Sequence, residues 1–269
     1  MKKIIAFIFV ALSIFVVSLT TSCEYQSVKK LKVVVEKVQS ECPISMGMMG
    51  DVLDVKYLPQ SHEVQIYYNI NKAVIDVDVL SQNKELLQNN VKLGFSKGEP
   101  RKLIEMIADA NAGLKLVYKN ASTSNKCEVS CSPEDLKEMI ANPLSDAEIN
   151  EMIIKNQLAI ENSRCPYPVE VGVVMKKVVN EEGSIIYYAE LDEEMYDIRA
   201  FKDPEVMTQM RASIEELFSD PMSVAHIKIL NSLNKGVIYR YVGSNSGQKV
   251  DIAFTPNDLK AFDAEYALK

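Results

Sequence analysis

The chain has no tryptophan and only 2 histidines in its 269 residues. The shortage of histidine bears directly on metal and catalytic chemistry. His62 and His226 each stand without a second His or Cys at ligand spacing, which a zinc site would need. The acidic runs "ELDEEMYD" and "NEEG" lack the alternating oxygen ligands and fixed glycine of an EF-hand loop. No Gly-x-Ser-x-Gly elbow and no phosphate-cradling glycine loop occurs. These gaps lead us to expect no cofactor, no metal site and no catalytic set. An excess of positive charge is missing too: 30 Lys and Arg face 37 Asp and Glu, a formal charge of -7. A chain so acidic, with its lysines dispersed, has no electrostatic reason to bind nucleic acid.

Apolar runs are also short, except at the start. Lys2 and Lys3 precede an uncharged stretch from Ile4 to Val17, followed by "SLTTSC". A basic start, a short apolar run and small residues before a cut site form the pattern of a secretory signal. The run falls below the roughly 20 residues that span a bilayer. Residues 1–22 are therefore expected to be removed, leaving a mature chain that begins at Cys23.

That segment resembles a bacterial lipoprotein signal, in which cleavage precedes a cysteine that carries diacylglycerol. Cys23 matches the modified cysteine, and Thr21 and Ser22 match the small positions before it. The usual leucine three residues upstream is Thr20 here, a looser form found in the Bacteroides group. The resemblance implies a lipid-anchored protein of the cell envelope, held to a membrane and facing the periplasm or the outside. Two or more acyl chains anchor stably where one binds only marginally.

The mature sequence reads as one unit written twice. "CPISMGMMGDVLDV" at 42 answers "CPYPVEVGVVMKKV" at 165, and "VQIYYNI" at 64 answers "SIIYYAE" at 184. "LKLVYK" at 114 answers "KGVIYR" at 235, and "CEVSCSPEDLKEM" at 127 answers "VDIAFTPNDLKAF" at 250. Order is kept across all four blocks, so two homologous domains are expected, 23–144 and 145–269.

Each copy opens with a helical stretch before its Cys-Pro. Two β-branched and aromatic runs split by a polar turn follow, which predicts a hairpin. A helical stretch interrupted at Pro100 or Pro221 predicts two helices or a broken one. A second hairpin leads into "SPEDL" or "TPNDL", where Ser132 and Thr255 are N-caps with proline at the first helical position. The expected unit is α-β-β-α-α-β-β-α, of α+β class, an antiparallel sheet with helices packed on one face. This outline resembles a family of small exported bacterial domains with a proline before the first strand and a tyrosine-rich second strand. Pro43, Tyr67, Tyr68, Tyr118 and Pro133 carry the resemblance in the first copy. Pro166, Tyr187, Tyr188, Gly236, Tyr239 and Pro256 carry it in the second. The family brings no activity with it.

Two sets of residues remain as candidates. Cys127 and Cys131 share one face of a strand with Val129, and the second copy has Val250, Ile252 and Phe254 there. Core filling by a small apolar side chain suits both sets. Cys42 and Cys165 are kept in both copies. They are read as buried thiols, as Cys42 paired with Cys127 or Cys131, or as a Cys42–Cys165 bridge between copies. The tyrosine pairs Tyr67-Tyr68 and Tyr187-Tyr188 occupy adjacent strand positions, so one of each pair should face the core and the other face away. Aromatic residues simply suit pleated surfaces, but Tyr is also enriched at interfaces. The expected function is a non-catalytic binding or scaffold module for an envelope protein or glycan. The alternative is a small exported enzyme or enzyme inhibitor with a cleft between the copies.

Overall fold

The structure, a computed structural model, describes residues 24–72, 76–121, 125–181 and 183–266. Cys23 and the signal segment lie outside the described residues. The chain divides into two units, unit 1 ending at Ser145 and unit 2 starting at Asp146. Among the described residues no helix is long and apolar enough to cross a membrane.

Unit 1 begins with helix α1 (Glu24–Glu41) and the short strand β1 (Ile44–Ser45). Strands β2 (Gly50–Leu58) and β3 (Glu63–Ile70) form a hairpin. Helices α2 (Val77–Gln82), α3 (Lys84–Gly94) and α4 (Gly98–Asp109) lead to β4 (Gly113–Lys119), β5 (Lys126–Cys131) and α5 (Pro133–Ala141). Unit 2 repeats the plan: α6 (Asp146–Arg164), β6 (Tyr167–Glu170), β7 (Val173–Glu181), β8 (Ser184–Leu191), α7 (Pro204–Leu217), α8 (Pro221–Ser232), β9 (Gly236–Gly243), β10 (Lys249–Phe254) and α9 (Pro256–Tyr266). Each unit holds a five-stranded sheet with strands in sequence order. The α+β class and the tandem sheet-plus-helix units match the sequence expectation.

Three details differ from it. First, each sheet is mixed, because β3 pairs parallel with β4 and β8 pairs parallel with β9. A tight turn forces antiparallel neighbours, but the helical connection between these strands is long enough to carry the chain back to the same end of the sheet. Second, a short strand follows each Cys-Pro and adds a fifth strand at the edge. Both Cys-Pro peptide bonds, Cys42–Pro43 and Cys165–Pro166, are cis. Third, unit 1 has three helices in its crossover rather than two. Asn83 separates the first pair: it ends α2, and its side chain accepts a hydrogen bond from Leu86 N at 3.0 Å to start α3. In unit 2 the corresponding stretch leads to Asp203, which caps α7 ahead of Pro204.

The helix starts at "SPEDL" and "TPNDL" form as their sequences dictate. Ser132 Oγ accepts from Asp135 N, and the Asp135 carboxylate accepts from Ser132 N. Thr255 and Asp258 repeat that reciprocal pair.

Strand alternation puts one sheet face against helices. In β3, Val64, Ile66, Tyr68 and Ile70 are buried while Glu63, Gln65, Tyr67 and Asn69 are half-buried on the other face. The core of unit 1 joins those residues to Leu31, Val35 and Val38 of α1, Ile104 and Ile107 of α4, and Leu136 of α5. Unit 2 joins Ile154 of α6, Ile214 of α7, Ile227 and Leu230 of α8, and Ile252 and Phe254 of β10. A register shift falls at Val52/Asp54 in unit 1 and at the matching Met175/Lys177 in unit 2. Each bulge turns two residues three apart inward, Val52 with Val55 and Met175 with Val178.

Candidate binding surfaces and thiols

The register fixes which residues of the two units correspond. A spacing of 123 residues relates Cys42 to Cys165, Gly113 to Gly236 and Pro133 to Pro256. Among the strands only the third departs, because the hairpin closed by Leu58↔Glu63 is two residues longer than the one closed by Glu181↔Ser184. Tyr67 therefore corresponds to Tyr188, and Tyr187 to Ile66. Sequence similarity between the two Tyr-Tyr pairs is thus one position out of step with the register.

Each pair splits between the faces. Tyr68 is buried and stacks on Tyr118, with centroids 5.1 Å apart. Tyr187 packs against the core of unit 2 and stacks on Tyr239, also at 5.1 Å. Tyr67 and Tyr188 occupy the face away from the core, each in a row that crosses four strands. In unit 1 the row is Asp54, Tyr67, Val117 and Glu128. In unit 2 it is Lys177, Tyr188, Arg240 and Asp251.

The unit 2 row is tied together by charge. Arg240 donates through Nε and Nη2 to the two carboxylate oxygens of Asp251, at 2.8 and 2.7 Å. Its Nη1 donates to Tyr188 Oη at 3.0 Å. Lys177 Nζ lies 4.5 Å from the Tyr188 ring centroid. A planar guanidinium that grips a carboxylate at two points has little freedom left, so the row is preorganised. In unit 1 Lys56 bridges to Asp54 at 2.5 Å and lies 5.5 Å from the Tyr67 ring. Lys115 and Lys126 both reach Glu128, at 2.5 and 2.7 Å, and hold its carboxyl below the usual range. The two faces thus share a tyrosine but differ in charge around it: Val117 stands where unit 2 has Arg240.

Cys42, Cys127, Cys131 and Cys165 are free thiols in the structure. Cys127 is buried and Cys131 half-buried against the core, on the strand positions where unit 2 has Val250 and Phe254. Burial pushes the Cys131 thiol up to about 11, with Asp135 adding to it. Burial also raises Cys42, helped by Asp54 and Glu41, and raises Cys165, helped by Glu161. Cys42 Sγ donates to Val38 O at 3.4 Å. A thiol held protonated is a poor nucleophile and a poor metal ligand.

The histidines are engaged in structure. His62 Nε2 meets Ala110 O at 3.0 Å, and a carbonyl can only accept, so Nε2 carries the proton. Nδ1 then accepts from the Tyr57 hydroxyl at 2.6 Å. His62 sits at φ 52°, in the hairpin position that Gly183 holds in unit 2. His226 contacts Gln157 Oε1 through Nδ1 at 2.9 Å, and burial depresses its pKa. No group of three or more His, Cys, Asp or Glu side chains among the described residues could hold a metal ion.

The chain matches no protein-family model and no curated protein. One solved structure with likeness to it is a presumed secreted protein from Pseudomonas aeruginosa, at 8% sequence identity and a TM-score of 0.34. The match covers 43% of this chain and 98% of that one, and likeness at that level carries no argument about function.

Proposed function

We propose that this is an exported, lipid-anchored protein of the bacterial cell envelope that works by binding a protein or a glycan. Export and anchoring rest on the charged start, the apolar run and Cys23. The binding role rests on one observation above all: Tyr67 and Tyr188 correspond, and both stand at the centre of the sheet face turned away from the core. Packing does not require an aromatic ring there, whereas a large, rigid, amphipathic side chain suits an interface. The two copies on one chain offer two linked sites, and linkage multiplies affinity when both can reach the target. His62 uses both ring nitrogens in contacts within the fold, and burial raises all four described thiols, which leaves none of them activated as a nucleophile.

Cys23→Ser in the producing cell should abolish incorporation of labelled palmitate and release the chain from the membrane fraction. The soluble Cys23→Ser chain, immobilised, should retain a specific envelope protein or an arrayed glycan. Tyr188→Ala and Tyr67→Ala should each weaken that retention, and the double variant should remove it. Recovery of only abundant bystanders, unchanged by the double variant, would overturn the binding role.

A further inference from the structure

Four positions that unit 1 fills with aliphatic side chains carry a carboxylate and three phenols in unit 2. Val38 corresponds to Glu161, Ile44 to Tyr167, Ile66 to Tyr187 and Leu116 to Tyr239, each by the strand register or the spacing from Cys-Pro. The unit 1 residues are 1, 8, 2 and 2% exposed and belong to one closed core. All four unit 2 residues are only half-buried. They come from four elements, Glu161 from the last turns of α6, Tyr167 from β6, Tyr187 from β8 and Tyr239 from β9, and the three tyrosines pack against one core cluster.

The geometry leaves bonding capacity unused. The Tyr167 hydroxyl donates to Glu161 Oε1. Among the described residues the other oxygen of Glu161 has no partner, and neither do the hydroxyls of Tyr187 and Tyr239. The Tyr187 and Tyr239 rings stack within 14° of parallel, which brings their edges side by side. Burial raises the Tyr187 phenol to about 12, with Glu161 and Tyr167 adding to it, so it stays a donor at neutral pH. Glu170 bears in the same way on the neighbouring Tyr241. The cation Arg164 acts on Tyr167 in the opposite sense. The aliphatic set of unit 1 closes its core, whereas the unit 2 set stays half-exposed, where a ligand can reach its oxygens.

We propose that Glu161, Tyr167, Tyr187 and Tyr239 form a binding site for an organic ammonium ion, present in unit 2 and absent from unit 1. The free carboxylate oxygen takes an N–H, the phenol oxygens take the others, and the electron-rich rings favour a cation with an apolar stem. This site lies on the core face of the sheet, so it does not rest on the outward rows around Tyr67 and Tyr188.

The test uses the soluble mature chain with ¹³C-labelled tyrosine rings, assigned by Tyr→Phe variants. Butylammonium and glucosamine present the ammonium on an alkyl stem or on a sugar, and butanol and glucose are their neutral counterparts. Saturable shifts at Tyr167, Tyr187 and Tyr239 are expected with at least one ammonium probe, with Tyr68 and Tyr118 of unit 1 unmoved. The better probe tells which stem the site takes. The neutral counterpart and Glu161→Gln should each bind about tenfold weaker or worse, the loss of one charge-assisted contact. If Glu161→Gln proves unfolded by circular dichroism, Tyr239→Phe, which keeps the packing, carries the same test. No saturable shift with either ammonium probe would overturn the proposal. So would equal binding of the neutral counterpart, or binding unchanged in the folded variant.

Discussion

The two units close the end of the third strand in different ways. In unit 1 the Ile70 carbonyl accepts from Asn120 Nδ2 at 2.8 Å, while Asn120 Oδ1 accepts from Val77 N at 2.9 Å. A buried side chain thus ties the strand end to the first crossover helix. In unit 2 the matching Leu191 carbonyl accepts from Ser244 N at 2.9 Å, a backbone donor. Gly243 stands where Asn120 was, and a Cβ there would lie 2.6 Å from the Glu193 carboxyl. Glu193 in turn gathers the loop, accepting from the backbone N–H of Asn245 and Ser246 and from the Ser246 hydroxyl, each at 2.6 Å. The lesson is that the two units share the need for a donor at a given carbonyl, not the group that supplies it. A backbone solution frees the side-chain position, and the loop around it can then take on new contacts.

The two cores should show the largest effects. Leu31 and Ile154 correspond and are 0% and 1% exposed. Leu31→Ala and Ile154→Ala should each cost about 2–5 kcal/mol, seen as a lowered denaturant midpoint for the unit that carries the change. If only one of them is costly, the packing of the two leading helices is not equivalent.

Next in size is the strand-end tie. Asn120→Ala orphans a buried N–H and a buried carbonyl, each worth about 1–3 kcal/mol. Gly243→Asn, the exchange in reverse, should also destabilise, and Glu193→Ala should relieve it. Chemical denaturation of the single and double variants measures this, and an additive double variant would show that Glu193 is not the obstacle.

A smaller difference concerns pH. Burial favours neutral His226, so below the usual histidine pKa of roughly 6.5 the unfolded chain binds more protons than the folded one. Stability from this source is complete above that pH and is lost as pH falls. His226→Gln should flatten the fall in melting temperature on acidification. An unchanged slope would mean that other groups set it.

Smallest are the caps. Ser132→Ala and Thr255→Ala should each cost about 1 kcal/mol, and by similar amounts, because both take part in the same reciprocal pair with an aspartate three residues on.

Much of this fold is legible in the sequence. Proline after Ser or Thr and the strand-turn-strand runs are local signals, and they mark the helix starts and hairpins where they occur. What escapes is set by pairing over distance. Nothing in "VQIYYNI" says that its next neighbour is parallel, since that depends on where the crossover helices return the chain. The one-residue slip between Tyr67 and Tyr187 has the same origin: similar letters align better than the register does, because the hairpin turn differs by two residues. The Glu161 group was hidden for a further reason. Its members lie in separate blocks, and only the register shows that their unit 1 counterparts are all aliphatic.

The parallel pairing of β3 with β4 also bears on how each unit is made. A chain that emerges from its N-terminus presents the β2–β3 hairpin long before β4 exists. During that interval β3, with Val64, Ile66, Tyr68 and Ile70 along one side, is an open sheet edge facing whatever is nearby. Its counterpart β8 waits in the same way for β9. A half-finished unit therefore displays an unpaired strand edge beside an apolar face, and it does so twice per molecule. Fast delivery of the crossover helices, or a chaperone that covers one bare edge, should govern yield more than the stability of the finished fold.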